Sequence, residues 1–385
     1  MRVGVFTDSY RPYMSGVVRS IETFRAELEA EGFSFFIFAP NYPGAQPEER
    51  VFRFRSLPAP TNPEFTLAVP FSRQLGGALK NIEPDIIHVH SPFILGWLGA
   101  RWARRLGIPL VFTYHTLYEE YVHYFPLLQA VAREVTRKYT IGFCSRCDLV
   151  LAPTAAIREY LLQSGVQTRV ESLPTGIDLA SFQGGDGQGF RRRYGIGLDE
   201  PVLLYVGRMG KEKNIGFLLR TFRGIRERVE GVWLVLVGGG PAKEELAAEA
   251  EKLGVADRAL FTGPVPPERV KDCYAAGNIF VISSLTETQG LVVGEAKAAG
   301  LPAVAVRAQG VSEMVNEGVD GFLTPLEETA FAAKVCELLS NASLYQVMKG
   351  NALTQAEEIA APRMAQRLKA FYQELCTINR SGGVG

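Results

Sequence analysis

Two glutamates stand eight residues apart in Thr286-Glu287-Thr288-Gln289-Gly290-Leu291-Val292-Val293-Gly294-Glu295. The run before them, Ile279-Phe280-Val281-Ile282-Ser283-Ser284, is apolar, β-branched and ended by small polar residues, which predicts a buried strand. The run after them, Leu291 to Ala299, is rich in helix formers and closes at Gly300 with Pro302 just beyond. Glu287 therefore falls on the loop at the C-terminal end of a strand, and Glu295 early in the next helix. In an open α/β sheet that crevice is where ligands bind. Two acids in different surroundings there suit a polar, hydroxyl-rich ligand such as a sugar nucleotide.

Phosphate chemistry is written nearby. Leu203-Leu204-Tyr205-Val206 reads as a strand with Gly207-Arg208 at its exit, and Lys211, Glu212, Lys213 and Asn214 precede a helix from Ile215 to Phe222. Arg208 and Lys213, on one strand-to-helix loop, can converge on a diphosphate. The helix opening at Gly290-Leu291-Val292 adds amide N–H groups and a favourable dipole. Ser15-Gly16-Val17 stands between the opening strand and helix, where a glycine lets amides approach phosphate oxygens or simply makes a tight turn. Gly238-Gly239-Gly240-Pro241 is not G-x-G-x-x-G, which argues against a dinucleotide dehydrogenase.

The chain has four histidines. His88 and His90 share one side of Ile86-Ile87-His88-Val89-His90, but without an acidic or cysteine cluster nearby packing is preferred over metal ligation. His115, just past the strand ending at Thr113, sits on the ligand-binding rim of its sheet. Cys144-x-x-Cys147 lacks a second pair, so neither zinc nor redox chemistry is expected of it.

These residues need elements to hold them. Strand-like runs at Val3–Phe6, Phe35–Phe38, Ile86–Val89, Leu110–Thr113 and Leu149–Ala152 alternate with helical patterns such as Val17–Ala30 and Leu95–Leu106. The glycine-dense stretch Gln183 to Gly189 reads as a flexible linker. The alternation then restarts at Val202–Val206, Trp233–Val237, Ala259–Thr262, Ile279–Ile282 and Ala303–Val306. Such alternation predicts an α/β chain of two Rossmann-like halves with parallel sheets. A terminal helix opens at Pro362, with Met364, Leu368, Phe371 and Leu375 on one face, and the tail Ser381–Gly385 reads as disordered. At 385 residues and 47% hydrophobic content, the chain can bury two cores. Basic and acidic residues balance at 41 each, so nothing marks a nucleic-acid binder. The N-terminus runs directly into a strand without a signal peptide's design, the cysteines fit a reduced compartment, and no apolar run reaches the roughly eighteen residues of a membrane span.

Taken together, these residues resemble a retaining glycosyltransferase of the GT-B, family 4 type, the group containing sucrose and glycogen synthases and phosphatidylinositol mannosyltransferases. The likeness runs nearly end to end, from Tyr10-Arg11-Pro12 and Ser15-Gly16-Val17 through Gly207-Arg208, Lys213-Asn214 and Glu287-x7-Glu295. It is nearest to the diacylglycerol glucosyltransferase branch, on Ser91-Pro92-Phe93, Thr113-Tyr114-His115-Thr116-Leu117-Tyr118-Glu119, Pro174-Thr175-Gly176-Ile177-Asp178, Thr286-Glu287-Thr288-Gln289-Gly290 and Ala308-Gln309-Gly310-Val311.

The resemblance implies two domains facing across a cleft: residues 1–180 for the acceptor, joined by a terminal helix 362–380, and residues 190–361 for the donor. It implies that Arg208 and Lys213 hold the diphosphate with amides of Leu291, Val292 and Gly16, and that Glu295 bonds the ribose. Glu287 would bond the donor sugar, the backbone near Val265 would meet the base, and His115 would contact the sugar's primary hydroxyl. Transfer would be retaining and free of metal or other cofactor, with a UDP-sugar favoured. The chain departs from many relatives in carrying Ala276-Gly277-Asn278 in place of Ala-Asp before the strand, and in Lys297 where an apolar residue is usual.

A lipid acceptor such as diacylglycerol would require peripheral contact with an anionic membrane, at the inner face in a cytoplasmic protein. Residues 100–146 carry seven basic side chains (Arg101, Arg104, Arg105, Arg133, Arg137, Lys138, Arg146) against three acidic ones, interleaved with Tyr121, Tyr124, Phe125, Leu127 and Leu128. Phe65 to Phe71 alternates and could dip into headgroups. Rival readings are a GDP-mannose-dependent mannosyltransferase, a transferase to a soluble sugar or polyol, a sugar-nucleotide 2-epimerase, and a non-catalytic nucleotide-binding protein.

Overall fold

The computed structural model describes residues 1–59, 62–72, 75–120 and 129–382. Its contacts divide the chain into two units, Met1–Gly176 with Ala361–Gly385, and Ile177–Ala360.

The first unit contains strands β1 (Arg2–Phe6), β2 (Ser34–Pro40), β3 (Val51–Phe54), β4 (Ser56–Ala59), β5 (Asn62–Ala68), β6 (Ile86–Val89), β7 (Leu110–Thr113), β8 (Leu149–Ala152) and β9 (Val170–Ser172). Seven of them form a parallel sheet in the order β3-β2-β1-β6-β7-β8-β9, while β4 and β5 pair as an antiparallel hairpin. Strands β6, β7 and β8 are buried throughout because helices cover both faces, which is why they read as unbroken apolar runs. Helix Gly16–Ala30 buries Val18, Ile21, Phe24 and Leu28 in a cluster with Val3, Val5 and Ile37. Met364, Leu368, Tyr372 and Leu375 of the terminal helix Ala361–Gly382 complete that cluster. The last helix thus belongs to the first unit, and it continues to Gly382 where the sequence suggested a disordered tail; Gly383–Gly385 lie outside the described residues.

The second unit contains β10 (Val202–Val206), β11 (Trp233–Val237), β12 (Ala259–Gly263), β13 (Ile279–Ile282), β14 (Ala303–Val306) and β15 (Gly321–Thr324), a parallel sheet in the order β12-β11-β10-β13-β14-β15. Apolar clusters cover both of its faces, one built on Phe217, Phe222 and Phe331 and the other on Phe190, Tyr274 and Phe280. In each unit the strand order reverses beside its first strand, between β1 and β6 and between β10 and β13. Loops leaving the C-terminal ends of those strands diverge and leave a crevice for ligands.

The stretch Gln183–Gly189 is packed rather than a flexible linker. Asp186 Oδ1 accepts from Gly189 N at 2.7 Å and caps helix Gly187–Tyr194. A Cβ on Gly185 would lie 2.3 Å from the carbonyl oxygen of Lys271, and one on Gly187 2.3 Å from that of Ala275. Those glycines are there for close approach to helix Val270–Ala276. The division between units consequently falls before this stretch, at Gly176 and Ile177.

Candidate functional site

The reversal at β10 and β13 gathers the charged residues singled out above. Gly207 and Arg208 leave β10, and the Arg208 carbonyl accepts from the Tyr205 hydroxyl at 3.1 Å. A second loop braces this exit: Gly207 N donates to Val237 O at 2.9 Å and Met209 N to Gly239 O at 2.8 Å. Gly238 makes that approach possible, since its φ is 133° and a Cβ would sit 2.0 Å from Gly207 O. The triple glycine that fails the dinucleotide pattern therefore has a structural use.

Beyond Arg208 the chain makes a 3₁₀ turn, Lys211–Lys213, ended by Asn214 in the left-handed region at φ 52°. Serines at the exit of β13 pin this turn. Ser283 Oγ donates to the carbonyls of Asn214 (2.8 Å) and Lys213 (3.3 Å), and Ser284 Oγ to that of Glu212 (3.4 Å). The turn is thereby tied to the strand that leads into Glu287. Lys213 Nζ meets Glu287 Oε1 at 2.5 Å, with both side chains more than four-fifths buried. Arg208 Nη1 lies 3.9 Å from Glu212 Oε1.

Gly290, at φ 86°, turns the chain into helix Leu291–Ala298, so the amides of Leu291 and Val292 lie in its first turn. Glu295 is almost fully buried, and its Oε2 accepts from Tyr274 OH at 2.7 Å. Val265, in the loop after β12, packs with Val292 and Val206 around the same apolar cluster. Lys297, an oddity at an otherwise apolar position, is buried and ion-paired with Asp320 at 2.7 Å while donating to Met314 O at 3.1 Å. It anchors the helix that carries Glu295. Asn278 enters β13 from the opposite end of the sheet, where its Oδ1 accepts from Arg191 Nη2 and Val202 N, both at 2.8 Å. The two departures noted in the sequence are thus packing solutions remote from the β13 exit.

In the first unit, His115 Nε2 and His90 Nδ1 share a hydrogen bond of 2.8 Å. His88 lies between Tyr372 OH, 2.5 Å from its Nδ1, and Thr113 Oγ1, 2.7 Å from its Nε2. The rings stack in series, with centroids 4.1 Å apart for His88–His90 and 5.1 Å for His90–His115. Burial keeps all three neutral, lowering His88 and His115 to about 3 and His90 well below its ordinary value. Among the described residues, no group of three or more histidine, cysteine or acidic side chains could hold a metal ion. Gly16 opens helix Gly16–Ala30, whose Ser15 cap accepts from Val18 N. Cys144 and Cys147 are buried free thiols, the first pushed up to about 12 by burial and the second well above its ordinary value, so both stay unreactive.

Asp8 escaped the sequence reading. It sits at the β1 exit, where its Oδ1 accepts from Leu95 N at 3.0 Å and its amide donates to Ser91 Oγ at 3.0 Å. It caps helix Ile94–Leu106 from across the β1–β6 reversal, and burial raises it to about 6 although Leu95 N and Ser91 Oγ both donate to its carboxylate. Tyr274 and Asp320 escaped for the same reason: each acts through a partner distant in sequence. The positions Tyr121, Tyr124, Phe125, Leu127 and Leu128 lie outside the described residues.

A parallel two-unit chain with a cationic strand exit facing a carboxylate is the architecture of GT-B glycosyltransferases. Comparison with known proteins agrees, because the model "Glycosyltransferase Family 4" matches residues 14–181 and "Glycosyl transferases group 1" matches residues 188–355. The chain belongs to the family 4 glycosyltransferases, and it is a hexosyltransferase. It is 32% identical to the alpha-monoglucosyldiacylglycerol synthase of Streptococcus pneumoniae, over 98% of this chain and 87% of that one. It is 30% identical to a GDP-mannose-dependent alpha-mannosyltransferase of Mycobacterium tuberculosis, over 85% of each. The sucrose-phosphate synthase of Thermosynechococcus elongatus shares its fold with a TM-score of 0.81 at 20% identity, over 98% of this chain and 99% of that one.

Proposed function

We propose that this enzyme transfers a hexose from a UDP-sugar to diacylglycerol or a related glycolipid, with retention and without metal. The observation that carries the reading is the Lys213–Glu287 contact on a turn shared with Arg208. It sets a cation for the departing phosphate beside a carboxylate for the sugar's hydroxyls. Arg208, Lys213 and the amides of Leu291 and Val292 stabilise the diphosphate as positive charge grows on the anomeric carbon. Glu287 accepts from the sugar's ring hydroxyls rather than attacking C1. Glu295, held by Tyr274, takes the ribose, the loop at Val265 takes the base, and Gly16 adds an amide to the phosphates. His115 takes the sugar's primary hydroxyl as a neutral ring oriented by His90. The C1–phosphate bond breaks, the acceptor oxygen bonds C1 on the same face, and its proton passes to the leaving phosphate oxygen.

The lipid acceptor is favoured by likeness to the S. pneumoniae synthase and by apolar exposure on the first unit. Helix Gln129–Cys144 exposes Val131, Val135 and Tyr139 at helical spacing, the β4–β5 hairpin exposes Leu57 and Leu67, and the segment after it Val69 and Phe71. No helix among the described residues is long and apolar enough to cross a membrane, and the contact proposed is a peripheral one through these exposed side chains. Likeness to the mannosyltransferase keeps GDP-mannose as the second donor candidate.

The test is incubation with UDP- and GDP-hexoses and diacylglycerol in anionic vesicles, with and without EDTA. Products are identified by mass spectrometry and the anomeric configuration by NMR. The expected product is an α-hexosyl diacylglycerol formed from a UDP-sugar, equally with EDTA. Nucleotide release without a lipid product would move the acceptor to a soluble sugar. An epimerised free sugar without acceptor would replace the transfer reading altogether.

A further inference from the structure

Between Arg208 and Lys213 at the β10 exit stands a buried carboxylate that the transfer scheme does not use. Glu212 has a side chain only 4% exposed, and its Oε1 lies 3.9 Å from Arg208 Nη1. Its Oε2 is buried without a hydrogen-bond partner among the described residues. The carboxylate occupies the space left by Gly210, where a Cβ would stand 2.2 Å from Oε1 and 2.4 Å from Oε2. A buried carboxylate with an unserved oxygen is costly, and such a group calls for an explanation.

The spacing supplies one. At 3.9 Å the contact is longer than a hydrogen bond, so Glu212 acts on Arg208 as a fixed charge rather than as an acceptor. Lys213 faces Glu287 and Arg208 faces Glu212, so each of the two cations assigned to the diphosphate has a carboxylate opposite. Glu287 can turn to a sugar, whereas Glu212 is walled in by its own turn and tied at its carbonyl by Ser284. Its negative charge therefore stays when an anionic ligand arrives.

We propose that Glu212 is a positioning residue that moderates the grip of Arg208 on nucleoside diphosphate, so that the product leaves after transfer. The proposal rests on the reading that Arg208 and Lys213 hold the diphosphate. A fixed negative charge beside one arm of an anion clamp lowers affinity for substrate and product together. Turnover limited by product release gains from that loss.

The test is calorimetric titration of the full chain with UDP and with GDP, beside steady-state kinetics and thermal unfolding. Glu212→Gln keeps the shape and removes the charge. Its nucleoside diphosphate affinity is expected to rise about tenfold, equivalent to about 1.4 kcal/mol, with kcat and donor KM falling together. A purely packing role would instead lower the unfolding midpoint and leave affinity alone. Gly210→Ala is the second variant, because its methyl displaces the carboxylate from its seat while the charge remains in the chain. It should shift affinity in the same direction by a smaller factor, and it decides the matter if Glu212→Gln does not fold. Affinity equal to or weaker than wild type in the folded variants overturns the proposal. Arg208→Ala separates the two readings: if it binds UDP and GDP as wild type does, the donor-site reading falls and this proposal with it. A null result confined to Glu212 and Gly210 removes this proposal alone.

Discussion

Lys213 and Glu287 lie 74 positions apart and meet at 2.5 Å, a contact more than four-fifths buried on both sides. A unit charge pair at about 4 Å and an effective dielectric near 20 is worth about 4 kcal/mol before desolvation, so the lysine matters to any anion bound there. Lys213→Ala should lower kcat/KM by about 10²–10³-fold, while circular dichroism shows an intact fold. Wild-type turnover in that variant would remove Lys213 from its assigned role. Both residues were legible in sequence because each follows a recognisable strand, but their contact was not, since it depends on β10 and β13 being neighbours. The histidines show the same limit. A period of two put His88 and His90 on one side of β6, leaving metal ligation open as an alternative. The structure gives both nitrogens of His88 to Tyr372 and Thr113, and links His90 to His115. Tyr372 comes from the far end of the chain, and no local pattern could have announced it.

Elements were legible where burial is uniform. The inner strands are continuous apolar runs, whereas those missed lie at sheet edges or are very short: β3 contains the charged Arg53, β9 spans three residues and β15 opens on glycine. Glycine at 183–189 was misleading because flexibility and close packing draw on the same residue. Charge counting was incomplete in a comparable way. The basic residues of helix Gln129–Cys144 are largely matched, Arg133 by Glu120 and both Arg137 and Lys138 by Glu134. What remains exposed among the described residues is the apolar stripe of Val131 and Val135, 56% and 60% exposed. Burying a valine is worth about 1.5 kcal/mol, so Val131→Glu with Val135→Glu should weaken sedimentation with anionic vesicles by at least about tenfold. Reversing Arg133, Arg137 and Lys138 should have the smaller effect. Undiminished vesicle binding by the valine double variant would exclude this helix as the membrane-facing element.

At the scale of the whole chain, the restart of βα alternation at Val202 already announced two units, and their compositions predict different responses to acid. All four histidines precede Ile177, and three of them are held neutral by burial. Unfolding would let these take up protons below about pH 6.5, so the unfolded state binds more protons and stability falls as pH drops from 6.5 towards 3. Asp8 opposes them, because at about 6 its folded form is protonated before the unfolded chain, whose carboxyl waits until 3.8. Near pH 5 three histidines against one carboxyl leave two protons in favour of unfolding, a slope of about 2.7 kcal/mol per pH unit. In the second unit Glu200 is lowered to about 2 by its hydrogen bond to Arg258, then by the Gly197 amide and Trp233. The stability it contributes is kept above its ordinary value of 4.5 and is lost progressively as pH falls from there towards 2, so it starts to fail only after the histidines have begun to act. Between pH 6.5 and 4.5 the first unit should therefore open first. Hydrogen exchange followed by mass spectrometry should show peptides from residues 1–120 losing protection ahead of those from 177–360. Simultaneous loss, or earlier loss in 177–360, would mean that the buried histidines do not govern acid stability.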